Sequence, residues 1–192
     1  MSPPINKGCD VVNIVVTGFT RARRIKRRGF TGVITIEDPD VKPSHRLRFH
    51  EPDAPAHLVL RFEDLDSPSD RIRTATREHV ADALAFARTV NGALLVHCWA
   101  GVSRSTSITL AIIADRLGPG HEPEALAELL KLAPEAVPNL LVTQHADALL
   151  ERHGALLAVV HARDAMREQS RIRRRLNEAA VLNAYGADAA YG

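Results

Sequence analysis

Apolar positions along the chain alternate between two rhythms. Short runs at 11–16 (VVNIVV), 32–36 (GVITI), 47–49 and 58–62 (LVLRF) predict strands. The run at 93–96 (ALLV) has no polar position. A strand without a polar face is covered on both sides, which puts it in the middle of a mainly parallel sheet of about four or five strands. Between the last two runs, Ile72, Ala75, Thr76, His79, Val80, Ala83, Leu84 and Ala87 recur at helical spacing, with Arg73, Arg77, Glu78, Asp82 and Arg88 on the opposite side. This predicts a helix that stops at Asn91-Gly92, where glycine can turn left-handed. A second, apolar helix is predicted at 103–117, where Ile108, Leu110, Ile112 and Ile113 suit burial against the sheet. After the break at Gly118-Pro119-Gly120, helices are predicted at about 123–132, about 138–153 and from 155 onward.

Strands interleaved with helices predict an α/β fold: a single domain with a central, mainly parallel sheet flanked by helices. A length of 192 residues suits one core. The pattern turns strongly charged from about Ala162 and ends in AYGADAAYG. The expected division is a main domain at 1–161 and a charged, helical or partly disordered extension at 162–192 available for self-association.

Composition changes this picture little. A hydrophobic fraction of 45% and a charged fraction of 25% are ordinary for a folded domain. A formal charge of +2 hides two basic runs, RARRIKRR at 21–28 and RIRRR at 171–175. They read as solvated helix faces in preference to nucleic-acid grips. Cys9 and Cys98 make no disulfide framework. The first residues lack the look of a secretory signal, and no apolar run approaches the ~20 residues of a membrane span. A soluble, cytoplasmic protein is expected.

Candidate chemistry concentrates in HCWAGVSRS, residues 97–105. If Cys98 closes a strand and the helix opens at about Ser103, the backbone N–H groups of Trp99, Ala100, Gly101, Val102 and Ser103 can converge beside a helix N-terminus. Free donors and the positive end of the helix dipole make that point an anion site, and a phosphate fits it. The same field favours a thiolate, so Cys98 is expected to be ionised and nucleophilic toward phosphorus. Arg104 offers a planar fork for two phosphoryl oxygens. Ser105 can hydrogen-bond the sulfur, and Gly101 lets the backbone approach the anion closely.

His-Cys, five residues, Arg, Ser resembles the signature loop of the cysteine-dependent protein tyrosine and dual-specificity phosphatases, with all its fixed positions matched. Outside that loop and the acid segment below, the likeness rests on the order of elements from about Val11 to about Gly154. It implies a phosphomonoester hydrolase working through a phosphocysteine on phosphotyrosine protein, with dual specificity open. It implies catalytic roles for Cys98, Arg104 and Ser105, phosphate binding by residues 99–104, and His97 holding the loop and tuning the thiol. It also implies a general acid on a loop about thirty residues before the cysteine. RFEDLDSPSD offers Asp64, Asp66 and Asp70, lying 34, 32 and 28 positions before Cys98. Asp64 is preferred because Phe62-Glu63-Asp64 follows a strand, as the family's acid does. Asp66 has the more usual spacing and stays a competitor, with turn or capping duty as its other reading.

The signature loop has neutral Ala100, Val102 and Ser103 where inositol-phosphate relatives carry lysines, which favours phosphoprotein over lipid phosphate. The chain is too short for a long tyrosine-recognition segment, so a shallow pocket is expected. Trp99 stands on its rim or in the core. The histidines lack metal-ligand spacing, no Walker or dinucleotide loop occurs, and no cofactor is expected. Two other readings remain. One is a non-catalytic phosphate-binding module for phosphorylated partners. The other is redox or arsenate chemistry, for which Cys9 is the available second cysteine.

Overall fold

The computed structural model describes residues 13–25, 29–48 and 53–188. Cys9 and part of the first basic run lie outside the described residues. Among the described residues four strands, β1 (Ile14–Gly18), β2 (Phe30–Glu37), β3 (Ala56–Arg61) and β4 (Ala93–Cys98), form one sheet in the order β1-β4-β2-β3. Every pair is parallel, and Val16 lies opposite Val96 while Ile34 lies opposite Val96 on the other side. The all-apolar run is therefore an interior strand, as its lack of a polar face requires.

Successive side chains point to opposite faces of the sheet. Ile34, Ile36, Leu94 and Val96 join the larger core, covered by helices α2 (Arg77–Thr89), α3 (Arg104–Leu117), α4 (Glu122–Leu132), α5 (Leu140–Leu149) and α6 (Ala155–Met166). Val33 and Leu95 point the other way, into a smaller cluster with Phe19 and Ala22 of the one-turn α1 (Phe19–Ala22) and with Leu47. Leu47 thus explains the strand expected at 47–49. It is apolar because it plugs this second face, but the backbone at 46–48 joins no ladder, and Phe49 lies outside the described residues.

Two helix predictions need correction. The helix expected from Ile72 begins at Arg77. Thr76 caps it, accepting from the His79 N–H at 3.4 Å while the His79 ring accepts from the Thr76 N–H at 3.1 Å. Ile72 and Ala75 are buried all the same, on a non-helical lead tied by the Glu63 N–H to the Arg73 carbonyl at 2.8 Å. At its far end α2 stops at Thr89, with Val90 extended, and Gly92 follows with a positive φ of +156°, a conformation open to glycine. The long helix expected from 155 is two, α6 and α7 (Glu168–Asp188), broken at the extended Arg167. The boundary expected at 161/162 falls inside α6. Among the described residues no helix is long and apolar enough to cross a membrane.

Candidate active site

Cys98 is the last residue of β4 and Arg104 the first of α3, so residues 99–103 form the turn between an interior strand and a buried helix. Carboxyl ends of parallel strands are where α/β sheets present their chemistry. The Cys98 sulfur accepts the Gly101 N–H at 3.2 Å and lies 3.2 Å from the Ser105 hydroxyl in the first turn of α3. Cys98 is only 2% exposed, so the thiol sits at the bottom of the turn.

Gly101 has φ of +77°, a left-handed conformation suited to glycine. Its environment refines the expectation: a Cβ there would run into the Gly18 N and the Thr17 carbonyl, so the glycine lets the turn lie directly on the end of β1. The Phe19 N–H donates to the Trp99 carbonyl at 3.0 Å across the same contact.

Arg104 is buried, and its guanidinium donates through Nη1 to Asp38 Oδ1 at 2.6 Å and to the Phe62 carbonyl at 2.8 Å. Its Nε lies 3.9 Å from Asp64 Oδ2 and makes no hydrogen bond. Burial works against the cation, but Asp64, the Cys98 sulfur and Asp38 outweigh it and push the Arg104 pKa up. A fixed positive charge with an unspent donor therefore stands beside the thiol.

His97 is 2% exposed, and its Nε2 lies 2.9 Å from the Thr35 hydroxyl of β2, which also meets His57 Nε2 at 2.8 Å. Burial drives its pKa down to about 4, against the opposing effects of the Cys98 backbone and Glu37. The ring is neutral and braces β4 against β2.

The three candidate acids separate clearly. Asp64 faces the turn: its Oδ1 accepts from the Ser103 hydroxyl at 2.7 Å and from Asn139 Nδ2 at 3.0 Å. Ser103 thereby spends its hydroxyl on Asp64 and none on capping α3. Asp66 is occupied elsewhere, accepting the Leu140 N–H at 2.6 Å where α5 begins and Arg174 Nη1 at 3.0 Å on each oxygen. Asp70 is exposed in the following loop.

Trp99 is 51% exposed and stacks on Phe19, ring centroids 5.3 Å apart, with His45 5.0 Å away. It stands at the rim and not in the core. A cavity of about 10 Å³ beside Cys98 and His97 shares Asp38, Val41, His45 and Trp99 with a wider one of about 390 Å³, which Glu63 and Tyr185 also line. Among the described residues no cluster of three or more His, Cys, Asp or Glu side chains could hold a metal ion.

The sequence reading missed Asp38, Asn139 and the contacts from α7. Asp38 had a signal, since it follows directly on β2 and so shares the carboxyl edge of the sheet with Cys98. Asn139 caps α5, its side chain accepting the Val142 N–H at 2.9 Å. Its amide nitrogen is what reaches Asp64 and, at 2.9 Å, the Leu65 carbonyl.

No protein-family model matches the chain. It is 32% identical over 113 residues to dual specificity protein phosphatase 15 of Mus musculus, covering 55% of this chain and 47% of that protein. The Rattus norvegicus protein of the same name is 31% identical over 113 residues. The chain thus spans about half the length of the curated relatives it matches. Among solved structures, that of DUSP15 has a TM-score of 0.54 and 21% identity, covering 79% of this chain and 92% of that one. That of human tyrosine phosphatase-like serine/threonine/tyrosine-interacting protein has a TM-score of 0.55 and 17% identity, covering 71% and 90%. Over the matched 113 residues the chain is related in sequence to dual specificity protein phosphatase 15, and it shares the fold of the DUSP15 structure.

Proposed function

We propose that the chain is a phosphomonoester hydrolase that acts on phosphorylated protein through a phosphocysteine intermediate. The observation that carries this reading is the pairing at one sulfur: Cys98 Sγ lies 3.2 Å from both the Gly101 N–H donor atom and the Ser105 hydroxyl, with the buried Arg104 beside it. A thiol alone would be a core residue. A thiol under a turn of amides and a fixed guanidinium is set to meet an oxyanion.

In the first step the Cys98 thiolate attacks phosphorus, the bond from phosphorus to the ester oxygen breaks, and Asp64 gives its proton to the leaving oxygen. The turn amides and the Arg104 fork hold the non-bridging oxygens as their charge grows, with the guanidinium trading Asp38 for the phosphoryl group. In the second step the Asp64 carboxylate takes a proton from water, the water oxygen attacks phosphorus, and the bond to sulfur breaks. Ser105 donates a hydrogen bond to the departing sulfur. Phosphate leaves, and the thiolate and the Asp64 proton are both restored. Asp64 is favoured over Asp66 for this part because it faces Ser103 and Arg104, whereas Asp66 is committed to α5 and Arg174. The half-exposed Trp99 and the open cavity beside it support a pocket shallow enough for more than one phosphorylated side chain.

The test is hydrolysis of an aryl phosphate by the wild type and Cys98→Ser, which is expected to be inactive. Asp64→Ala should lower kcat by about 10²-fold or more for a poor leaving group and far less for an activated aryl phosphate. Turnover that survives Cys98→Ser defeats the proposal.

A further inference from the structure

Helix α7 lies along the segment that carries Asp64. Arg174, Asn177 and Tyr185 share one face of α7, being three and eleven residues apart from the first. Each reaches a different residue of the acid segment. Arg174 binds both Asp66 oxygens at 3.0 Å while its Nη2 grips Asp164 at 2.6 Å and the Pro138 carbonyl at 2.8 Å. Asn177 Nδ2 donates to the Asp64 carbonyl at 2.5 Å, and the Tyr185 hydroxyl donates to Glu63 Oε1 at 2.9 Å. Asp64 is therefore held from two sides, its carboxylate by Ser103 and Asn139 and its main chain by α7.

The segment needs such support. Residues 62–76 form no helix or strand, and a loop without ladder bonds is free to shift unless other elements fix it. Geometry at a general acid is demanding, and a displacement of about 1 Å can cost roughly 10²-fold in rate. Tyr185 adds a second effect, because it lines the wider cavity together with Trp99 and His45.

From these contacts we infer that α7 belongs to the catalytic apparatus: Asn177 and Tyr185 are positioning residues that fix the general-acid segment, and Tyr185 forms part of the wall met by the substrate. This deepens the phosphatase reading and rests on it. The extension is then a working element of the enzyme, and its charged outer face is the solvated side of that element.

The experiment uses the full chain and compares wild type, Asn177→Ala, Tyr185→Phe and, as a control at an exposed position of α7, Arg171→Ala. Turnover of phenyl phosphate, whose leaving group needs a proton, is set against turnover of a dinitrophenyl phosphate, whose leaving group does not. Asn177→Ala is expected to lose about tenfold in kcat on the first substrate and less than about twofold on the second, with Arg171→Ala unchanged on both. Tyr185→Phe should show the same split, weaker, together with a changed KM for a phosphopeptide. Amide hydrogen exchange across residues 62–66 should quicken in both α7 variants while the melting temperature stays near that of the wild type. Equal losses on the two substrates, or unchanged exchange, overturn the inference. A wild type with no Cys98-dependent hydrolysis defeats the phosphatase reading instead, and the exchange measurement still decides whether α7 holds the segment.

Discussion

Arg104 is a cation placed where water scarcely reaches it, and its neighbours are what make that tolerable. One Nη1 serves both Asp38 and the Phe62 carbonyl, leaving Nε unspent. A lysine there could satisfy Asp38 but could not present a second, coplanar donor to a phosphoryl oxygen. Arg104→Lys is therefore expected to fold and to lose about 10²–10³-fold in kcat/KM on an aryl phosphate, the cost of removing one preorganised oxyanion donor. A loss below about threefold would show that charge alone suffices there. His97 makes a prediction of the opposite kind, about stability. Its folded pKa of about 4 lies below the ordinary 6.5. As the pH falls, the unfolded chain takes up this proton first, so stability present above pH 6.5 is lost as the pH drops toward 4. The loss assigned to this ring is on the order of 3 kcal/mol. Urea denaturation of the wild type and His97→Asn between pH 7 and 4 measures it: the wild type should decline more steeply, and parallel curves would refute the assignment.

At the scale of elements, the decisive contact is between the turn after β4 and the end of β1. Gly101 has φ of +77°, and any side chain there meets the backbone of Thr17 and Gly18. Gly18 is constrained in return, since a Cβ on it would lie 2.9 Å from the carbonyl oxygens of Trp99 and Ala100. Gly101→Ala should cost about 2 kcal/mol or more, from the strained φ together with backbone overlap, and should move the Gly101 N–H away from the sulfur. Denaturant melts and Trp99 emission report both effects; a change within about 0.5 kcal/mol would mean the turn yields freely. This contact also marks how far sequence alone could go. The strands and α3 were legible because burial there follows the period of the backbone, and Cys98, Gly101, Arg104 and Ser105 because one turn brings them together. Burial without periodicity misled. Leu47 fills the second face of the sheet from a coil, and Ile72 and Ala75 are buried on a lead that Thr76 keeps from being helix. The partners of the site were illegible for another reason. Asp38, Asn139 and Asn177 reach their contacts across 66, 75 and 113 residues, distances over which no local pattern operates.

At the scale of the whole molecule, the longest of these links is Tyr185 to Glu63, 122 residues apart, which joins the last helix to the middle of the chain. Glu63 is where this closure should leave a pH signature. Burial raises its pKa above 4.5, with Asp38 and Asp64 adding to the rise and the Tyr185 hydroxyl and Arg104 opposing it. As the pH climbs past 4.5, the unfolded chain releases this proton before the folded one does. Glu63 therefore costs the fold stability through the interval up to its raised pKa, and the cost remains at neutral pH. A glutamine side chain at this position would keep an oxygen to accept from Tyr185 while removing the charge from beside Asp38 and Asp64. Glu63→Gln should accordingly melt higher than the wild type at pH 7.5, with the difference shrinking to nothing below pH 4.5, where both side chains are neutral. An advantage that is equally large at pH 4 would assign it to packing, and a Glu63→Gln protein less stable at pH 7.5 would mean that the carboxylate charge itself holds α7 in place.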